Sequence, residues 1–365
     1  MTEGRNPRQG TIGVGVLGCG DIAKVRFFPN IEAMPEFRLI GSHSRSPASC
    51  EPIVRQWGGR TYPDLDAFLR DPEIEAVIVA TPHPSHAELS VRALEAGKHV
   101  LVEKPMATSL ADAGRIRVAA ERSGRVFLAL PLDRSPAVDE AKRLIQSGVL
   151  GPISSADAVL AHGGPVHAPW FFDRKEAEWG VLADLGIYLI SQLTYLFGPA
   201  QSVTGRVETL MPQRLDADGH AFPSTVDDNS AAILAWSDGF LASIRANWCS
   251  PADRRNIMFE TRIHGTDGIL FLSPAAPAHS LVIYSPGRPI EGAEEIIHSG
   301  LSGCYRPVLP AWDIHGDVLV AFAEAIAGGS VPEAEAARAH HVIDIIESLY
   351  RSSRFGAAQT LTTQY

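Results

Sequence analysis

The sequence predicts an α/β protein in two parts: a doubly wound parallel Rossmann sheet, then an α+β domain built on a largely antiparallel sheet. Three observations predict it. From Thr11 to Leu130 short apolar runs alternate with helical segments in a repeated β-α-β rhythm. A glycine turn, Gly18-Cys19-Gly20, joins the first run to the first helix. Beyond Ser154 that rhythm gives way to period-two alternation broken by Gly, Pro and Asp turns. A chain of 365 residues is also long for one hydrophobic core. The expected division is a polar, mobile tail over 1–10, a dinucleotide-binding domain over 11–133 and a second domain over 134–365.

Composition narrows the function classes. With 45% apolar and 20% charged residues and a mean hydropathy of +0.02, this is ordinary globular composition. A net charge of −10 with scattered Lys and Arg argues against a nucleic-acid partner. Cys19, Cys50, Cys249 and Cys304 are too few and too dispersed for a disulfide framework, and no C-x-x-C pair suggests zinc, so no metal is expected. The start lacks the apolar core of a signal peptide, and no run approaches the roughly 18 apolar residues that span a bilayer. The expectation is a cytoplasmic protein with no membrane partner.

The first strand, Thr11 to Leu17, contains a G-x-G-x-x-G match at Gly13, Gly15 and Gly18, but a phosphate turn must follow a strand and open a helix. The sensible register is therefore Gly18-x-Gly20-x-x-Ala23, spanning Asp21 and Ile22. Gly18 makes the turn, Gly20 admits a pyrophosphate and Ala23 lets helix and strand pack closely. The second strand, Phe37 to Gly41, ends in Ser42-His43-Ser44-Arg45 with no acidic residue to hold an adenosine ribose. Ser44 and Arg45 can take a 2′-phosphate instead, which favours NADP over NAD; the alternative for Arg45 is a solvated loop arginine. A helix from Tyr62 to Arg70 and a buried strand, Ala76 to Ala80, lead to Thr81-Pro82-His83-Pro84-Ser85-His86, a loop at a strand C-terminus. His83 and His86 there are either site residues or structural. A helix from His86 to Ala96, the strand His99 to Val102, a helix from Ser109 to Ser123 and a strand from Val126 to Leu130 complete the sheet.

Together, Gly18-Cys19-Gly20-Asp21-Ile22-Ala23, Ser44-Arg45, Thr81-Pro82-His83-Pro84-Ser85-His86 and Glu103-Lys104-Pro105 resemble the glucose-fructose oxidoreductase, inositol dehydrogenase and rhizopine-catabolism family, Gfo/Idh/MocA. The resemblance continues through Arg134-Ser135-Pro136 and Gly148-Val149-Leu150-Gly151-Pro152-Ile153. It implies that Thr81, His83, His86, Glu103 and Lys104 join the glycine turn in binding the cofactor. It also implies that Lys104 is catalytic and that the second sheet forms the contacts of a homodimer or homotetramer.

In the second half, strands are expected at Ser154 to Ala161, Ser202 to Leu210, Ser230 to Trp236, Phe240 to Trp248, Asn256 to His264, Ile269 to Leu272 and Leu281 to Tyr284. Met211 to Asp228 reads as a long loop or hairpin extension. A helix from Val181 to Phe197 stops at Gly198-Pro199 and has an apolar stripe of Leu182, Leu185, Leu189, Leu193 and Leu196. Asp184 and Tyr188 stand four apart on another face, so both can address one ligand. An acid in so apolar a segment is costly to bury without a partner; it is either a positioned site group or a cap of nearby amides. Tyr188 is either a site residue or core packing. The family pattern has glycine where Trp179 stands, so Trp179 is expected to fill part of the site. It commonly has histidine where Tyr188 stands, and tyrosine there resembles the dihydrodiol dehydrogenase and ketosugar reductase branch.

The resulting expectation is an NAD(P)-dependent dehydrogenase or reductase acting on a sugar, sugar derivative or cyclic diol. Tyr188 transfers the proton, Lys104 favours its phenolate form and binds the substrate oxygen, and Asp184 orients a neighbouring hydroxyl. His162, Trp170 and Phe171 precede this helix and either line the substrate site or anchor their loop. A closing helix is expected from Glu333 to Arg351, followed by a short tail over Gln359 to Tyr365. Competing readings are a non-catalytic dinucleotide sensor and a redox-neutral glycoside-cleaving enzyme with tightly held NAD.

Overall fold

The structure is a computed structural model that describes residues 11–132, 135–216, 218–251, 257–273, 280–310, 317–328 and 333–365. The expected tail over 1–10, the boundary at 133/134 with Arg134, and the strand start at Asn256 lie outside the described residues. The chain divides into two compact units, residues 1–132 with 313–337 and residues 133–312 with 338–365.

The first unit holds a parallel sheet of six strands in the order β3-β2-β1-β4-β5-β6. These are β1 Ile12–Leu17, β2 Phe37–His43, β3 Arg60–Thr61, β4 Ala76–Val79, β5 His99–Val102 and β6 Phe127–Ala129. β4 is buried along its whole length, as a strand covered on both faces must be. The helices are α1 Phe28–Ala33, α2 Glu51–Trp57, α3 Leu65–Arg70, α4 His86–Glu95 and α5 Leu110–Ser123. Asp64 and Ser109 cap α3 and α5 by accepting from the amides of Ala67 and Asp112. Gly13 and Gly15 are packing glycines inside β1: a Cβ would stand 1.8 Å from the Glu73 carbonyl oxygen at Gly13 and 2.4 Å from the Phe68 ring at Gly15.

The second unit carries α6 Pro136–Gln146, β7 Ile153–Ala161, α7 Arg174–Ala177, α8 Ile187–Phe197 and β8 Ser202–Glu208. Next come β9 Gln213–Leu215, β10 Ala221–Pro223, β11 Asn229–Ala235, β12 Leu241–Asn247, β13 Met258–Gly265, β14 Ile269–Leu272 and β15 Leu281–Tyr284. β16 Ala293–His298 and β17 Leu301–Pro307 follow; the chain then runs through α9 Asp317–Ile326 of the first unit and α10 Glu333–Phe355, most of it in the second, to β18 Gln359–Thr360. Ten strands form one sheet in the order β16-β17-β15-β14-β13-β7-β12-β11-β8-β18, antiparallel except where β7 runs parallel to β12. β9 and β10 make a separate hairpin within the stretch expected as a loop or extension.

Three features depart from the expected layout. The spacing predicts a continuous second domain, whereas α9 belongs to the first unit: Val318, Leu319 and Phe322 join the cluster of Val14, Phe27 and Phe37. The Gln359 to Tyr365 segment is docked as well, through β18 and through the buried carboxylate of Asp344, which accepts from the amides of Thr362 and Thr363 at 2.7 and 2.9 Å. The stretch Arg174–Phe197 is long and apolar enough to cross a membrane by composition, yet 83% of its apolar window is buried inside the protein. It is a core helix.

Candidate active site

In the first unit, the parallel strands place their C-terminal ends on one edge of the sheet, and most of the expected residues follow those ends. Gly18 follows β1 with φ +98°, a conformation that favours glycine, and a Cβ there would stand 2.4 Å from the Ala80 carbonyl oxygen. Gly20 is exposed, and a Cβ on it would enter open space. Asp21 is exposed, Ile22 half-buried and Ala23 fully buried where helix meets sheet. This open cradle fits the pyrophosphate of a dinucleotide, with the first-turn amides behind it. Ser44, half-buried, and Arg45, exposed, follow β2 with no acidic neighbour.

The helix after the turn opens with a π turn, Ala23–Phe27, before continuing as α1. Arg26 on this turn is buried, and its Nη1 donates to Glu103 Oε1 at 2.6 Å. Glu103 Oε2 accepts the Lys104 amide at 3.1 Å. The Glu103 carboxylate is thus engaged within the protein, and its expected role as a cofactor contact gives way to holding the turn that bears Lys104.

His86 is corrected in the same way. It is fully buried, with Nδ1 2.8 Å from the Pro105 carbonyl oxygen and Nε2 2.6 Å from the Thr81 carbonyl oxygen, so neither ring nitrogen is open to a ligand. Burial pushes its pKa down, opposed by those two carbonyls and by the charge of Glu103. His83 is 4% exposed and meets His86 edge-on at 5.9 Å. Thr81 is half-buried, and its Oγ1 accepts from Ser85 Oγ at 2.7 Å.

In the second unit, Asp184 is buried at 7% exposure, and its Oδ2 accepts from the indole Nε1 of the fully buried Trp248 at 3.2 Å. It lies in a second π turn, Leu182–Gly186, which leads into α8. Tyr188 is half-buried at the start of α8, its ring 6.4 Å from Phe259. Trp248 packs on Phe172 at 5.1 Å, next in the chain to the stacked pair Trp170 and Phe171, whose rings are 4.0 Å apart. The His162 amide donates to the carbonyl oxygen of Asn247, and its Nδ1 accepts from the Gly164 amide at 2.9 Å. Asp184 and Phe172 thus meet at Trp248, with His162 bonded to the preceding Asn247, while Tyr188 meets Phe259.

Sequence reasoning misses three groups that hold this arrangement. Asp227 Oδ1 accepts from the Gly180 amide at 2.9 Å and from the Tyr350 hydroxyl at 2.5 Å, while Oδ2 accepts from the Leu182 amide at 3.0 Å. Burial pushes the Asp227 pKa up against the pull of those donors, and burial beside Asp227 pushes Tyr350 well above the ordinary phenol range. Arg214 of β9 is buried; its guanidinium donates to Asp228 Oδ2 and to the Trp248 carbonyl oxygen, both at 2.9 Å. Trp179 is buried against the Tyr350 ring at 5.8 Å, so its expected role of filling the site is replaced by packing on α10. Asp216, Asp218 and His220 cluster at the β9–β10 turn, where Asp216 Oδ1 accepts from the other two amides.

A glycine turn opening a helix at the edge of a parallel sheet, followed by a separate unit with a buried carboxylate, defines a two-part NAD-binding oxidoreductase. Residues 12–130 match the model described as oxidoreductase family, NAD-binding Rossmann fold, and residues 138–271 match the GFO/IDH/MocA C-terminal domain. The chain belongs to the Gfo/Idh/MocA oxidoreductase family. Among similar proteins, levoglucosan dehydrogenase of Pseudarthrobacter phenanthrenivorans is 28% identical over 70% of this chain and 72% of its own length. The trans-1,2-dihydrobenzene-1,2-diol dehydrogenase of Oryctolagus cuniculus is 30% identical over 66% of this chain and 73% of its own. A solved levoglucosan dehydrogenase in complex with NADH and levoglucosan shares the fold, with a TM-score of 0.81 at 24% identity, covering 97% of this chain and 100% of that one.

Proposed function

We propose that the protein moves a hydride between NADP(H), favoured over NAD(H), and a hydroxyl-bearing carbon of a sugar, sugar derivative or cyclic diol. The observation that carries this reading is Asp184, a carboxylate buried on an otherwise apolar helix four residues before Tyr188 and fixed by Trp248. The relatives support the substrate class, since they are named for levoglucosan and for a cyclic diol. The absence of an acidic residue beside Ser44 and Arg45 supports NADP.

In this reading Gly18, Gly20, Asp21, Ile22 and Ala23 seat the pyrophosphate, and Ser44 and Arg45 take the 2′-phosphate. When bound, the nicotinamide supplies the hydride acceptor or donor. Tyr188 gives or takes the hydroxyl proton, the Lys104 ammonium stabilises the developing alkoxide charge, and Asp184 accepts from a neighbouring substrate hydroxyl. The Trp248 indole helps to keep the Asp184 carboxylate from rotating. Trp170 and Phe171 offer aromatic faces to a ring.

A panel of aldoses, inositols, ketosugars and vicinal diols, assayed with NADP and NAD at the reduced-nicotinamide absorbance band, tests the reading. On a panel substrate, Lys104→Met and Tyr188→Phe are each expected to lower kcat by on the order of 100-fold or more with little change in cofactor affinity. Near-full turnover in either variant would remove that residue from the mechanism. A tightly bound cofactor with no net absorbance change during turnover would point to redox-neutral chemistry instead. Assembly as a homodimer or homotetramer is part of the proposal; one face of the large sheet exposes Ile233, Leu241 and Met258. Sedimentation as a monomer at micromolar concentration would contradict it.

A further inference from the structure

We propose that Arg26 and His86 are positioning residues that hold Lys104 from its two sides, an inference that rests on the reading of Lys104 as catalytic. Lys104 and Pro105 follow the end of β5 at Val102, where the Glu103 amide still donates to the Val79 carbonyl oxygen at 2.9 Å. Side chains from the neighbouring helix and loop then meet the backbone on either side of the lysine.

On the N-terminal side the Lys104 amide donates to Glu103 Oε2 at 3.1 Å, and Glu103 Oε1 is bound by the buried Arg26 guanidinium at 2.6 Å. A glutamate alone can swing about its own side-chain torsions. Tied to an arginine on the π turn of the neighbouring helix, it becomes a fixed acceptor. On the C-terminal side His86 Nδ1 lies 2.8 Å from the carbonyl oxygen of Pro105, and Nε2 lies 2.6 Å from that of Thr81. One imidazole therefore spans the loop after β4 and the turn after β5.

Neither residue is placed to meet a ligand. Arg26 is 7% exposed and His86 is fully buried. Both act on the backbone that carries the lysine, and Arg26 does so from the helix that follows the phosphate turn.

The chain has five lysines, at 24, 98, 104, 142 and 175, so reductive methylation with 13C-formaldehyde gives a spectrum simple enough to follow Lys104 alone, assigned by its loss in Lys104→Arg. Arg26→Lys, which keeps the charge without the planar fork, His86→Gln, and the double variant R26M/E103Q, which leaves no buried charge unpaired, are compared with the parent protein. The expected result is that the Lys104 methyl signal shifts and broadens in all three, least in Arg26→Lys, while the other four lysine signals stay in place and NADPH affinity by fluorescence titration changes less than threefold. A protein in which Lys104 is held otherwise would show an unmoved Lys104 signal in the folded variants, which overturns the proposal. Parallel shifts of all five signals would mean general loosening and overturn it as well. Full turnover by Lys104→Met would sink the catalytic reading and leave the spectroscopic result standing, so the two failures are distinguishable.

Discussion

The two helices that carry the candidate site open in the same way and are held in opposite ways. Each begins with a π turn, Ala23–Phe27 in the first unit and Leu182–Gly186 in the second, and each turn buries one charged residue, Arg26 or Asp184. In the first unit the charge on the helix is itself the anchor, paired with Glu103. In the second the anchor comes from elsewhere: Asp227 accepts the Gly180 and Leu182 amides, while Asp184 accepts from the Trp248 indole. The difference lies in the donors: Asp184 accepts from a neutral indole, whereas Glu103 is paired with a guanidinium and also accepts the Lys104 amide.

Substitutions that remove each anchor put this contrast at risk. The largest effect is expected for Asp227→Leu, which strands two amides and the Tyr350 hydroxyl in a buried place, a loss of about 5 kcal/mol. Adding Tyr350→Phe should recover only a small part in denaturant titrations, because backbone amides cannot be mutated away. Arg26→Met follows, at about 4 kcal/mol, because it leaves Glu103 buried and unpaired. Here a second change, Glu103→Gln, should recover most of the loss. Equal recovery in both double variants would erase the distinction between a side-chain pair and a backbone cap.

Acid should weaken a buried histidine in each unit next. His341 is buried, its Nε2 accepts the Ala200 amide at 3.1 Å, and its Nδ1 donates to Thr363 Oγ1 at 2.8 Å; burial holds its pKa down at about 4. With the folded value below the ordinary one, its contribution is complete above about pH 6.5 and is lost as pH falls through about 4, on the order of 3 kcal/mol. Burial holds the His86 pKa down as well, opposed by its two carbonyl partners, so the first unit also loses stability as pH falls. Urea unfolding between pH 7 and 4, followed by hydrogen exchange, should show protection falling in both units, with His341→Gln flattening the pH slope of the second and His86→Gln that of the first. The smallest effect expected is at Glu178, whose φ of 68° and ψ of −48° is a strained backbone just ahead of the second helix. Glu178→Gly should raise stability by about 1 kcal/mol; a fall would show that the side chain contributes more than the strain.

The elements that recur with a fixed period were legible in the sequence. The six strands of the parallel sheet other than the two-residue β3, the glycine register and the helix bearing Asp184 and Tyr188 all fall where apolar spacing and turn residues place them. β16 escapes that reading because it is a solvated strand, with Glu294, Glu295 and Ile297 exposed, and β17 because it buries only Cys304 and Tyr305. Arg26 carried a faint signal: three residues after Ala23 and beside Phe27, it falls on the buried side of its helix. Asp227 carried none, because an acid in a loop looks the same whether it is solvated or accepts from an amide forty-seven residues away in sequence.

By itself, the sequence determined the parallel sheet, the phosphate turn and the order of the candidate residues, because these depend on local periodicity and on the backbone freedom of Gly18. Only the tertiary structure decided which charged groups are anchors. Glu103 is held by Arg26 and His86 lies between the Thr81 and Pro105 carbonyls, while Asp184 accepts from the Trp248 indole. The physical reason is that a carboxylate or an imidazole is defined by its hydrogen-bond partners, and those partners come from segments that no local pattern connects.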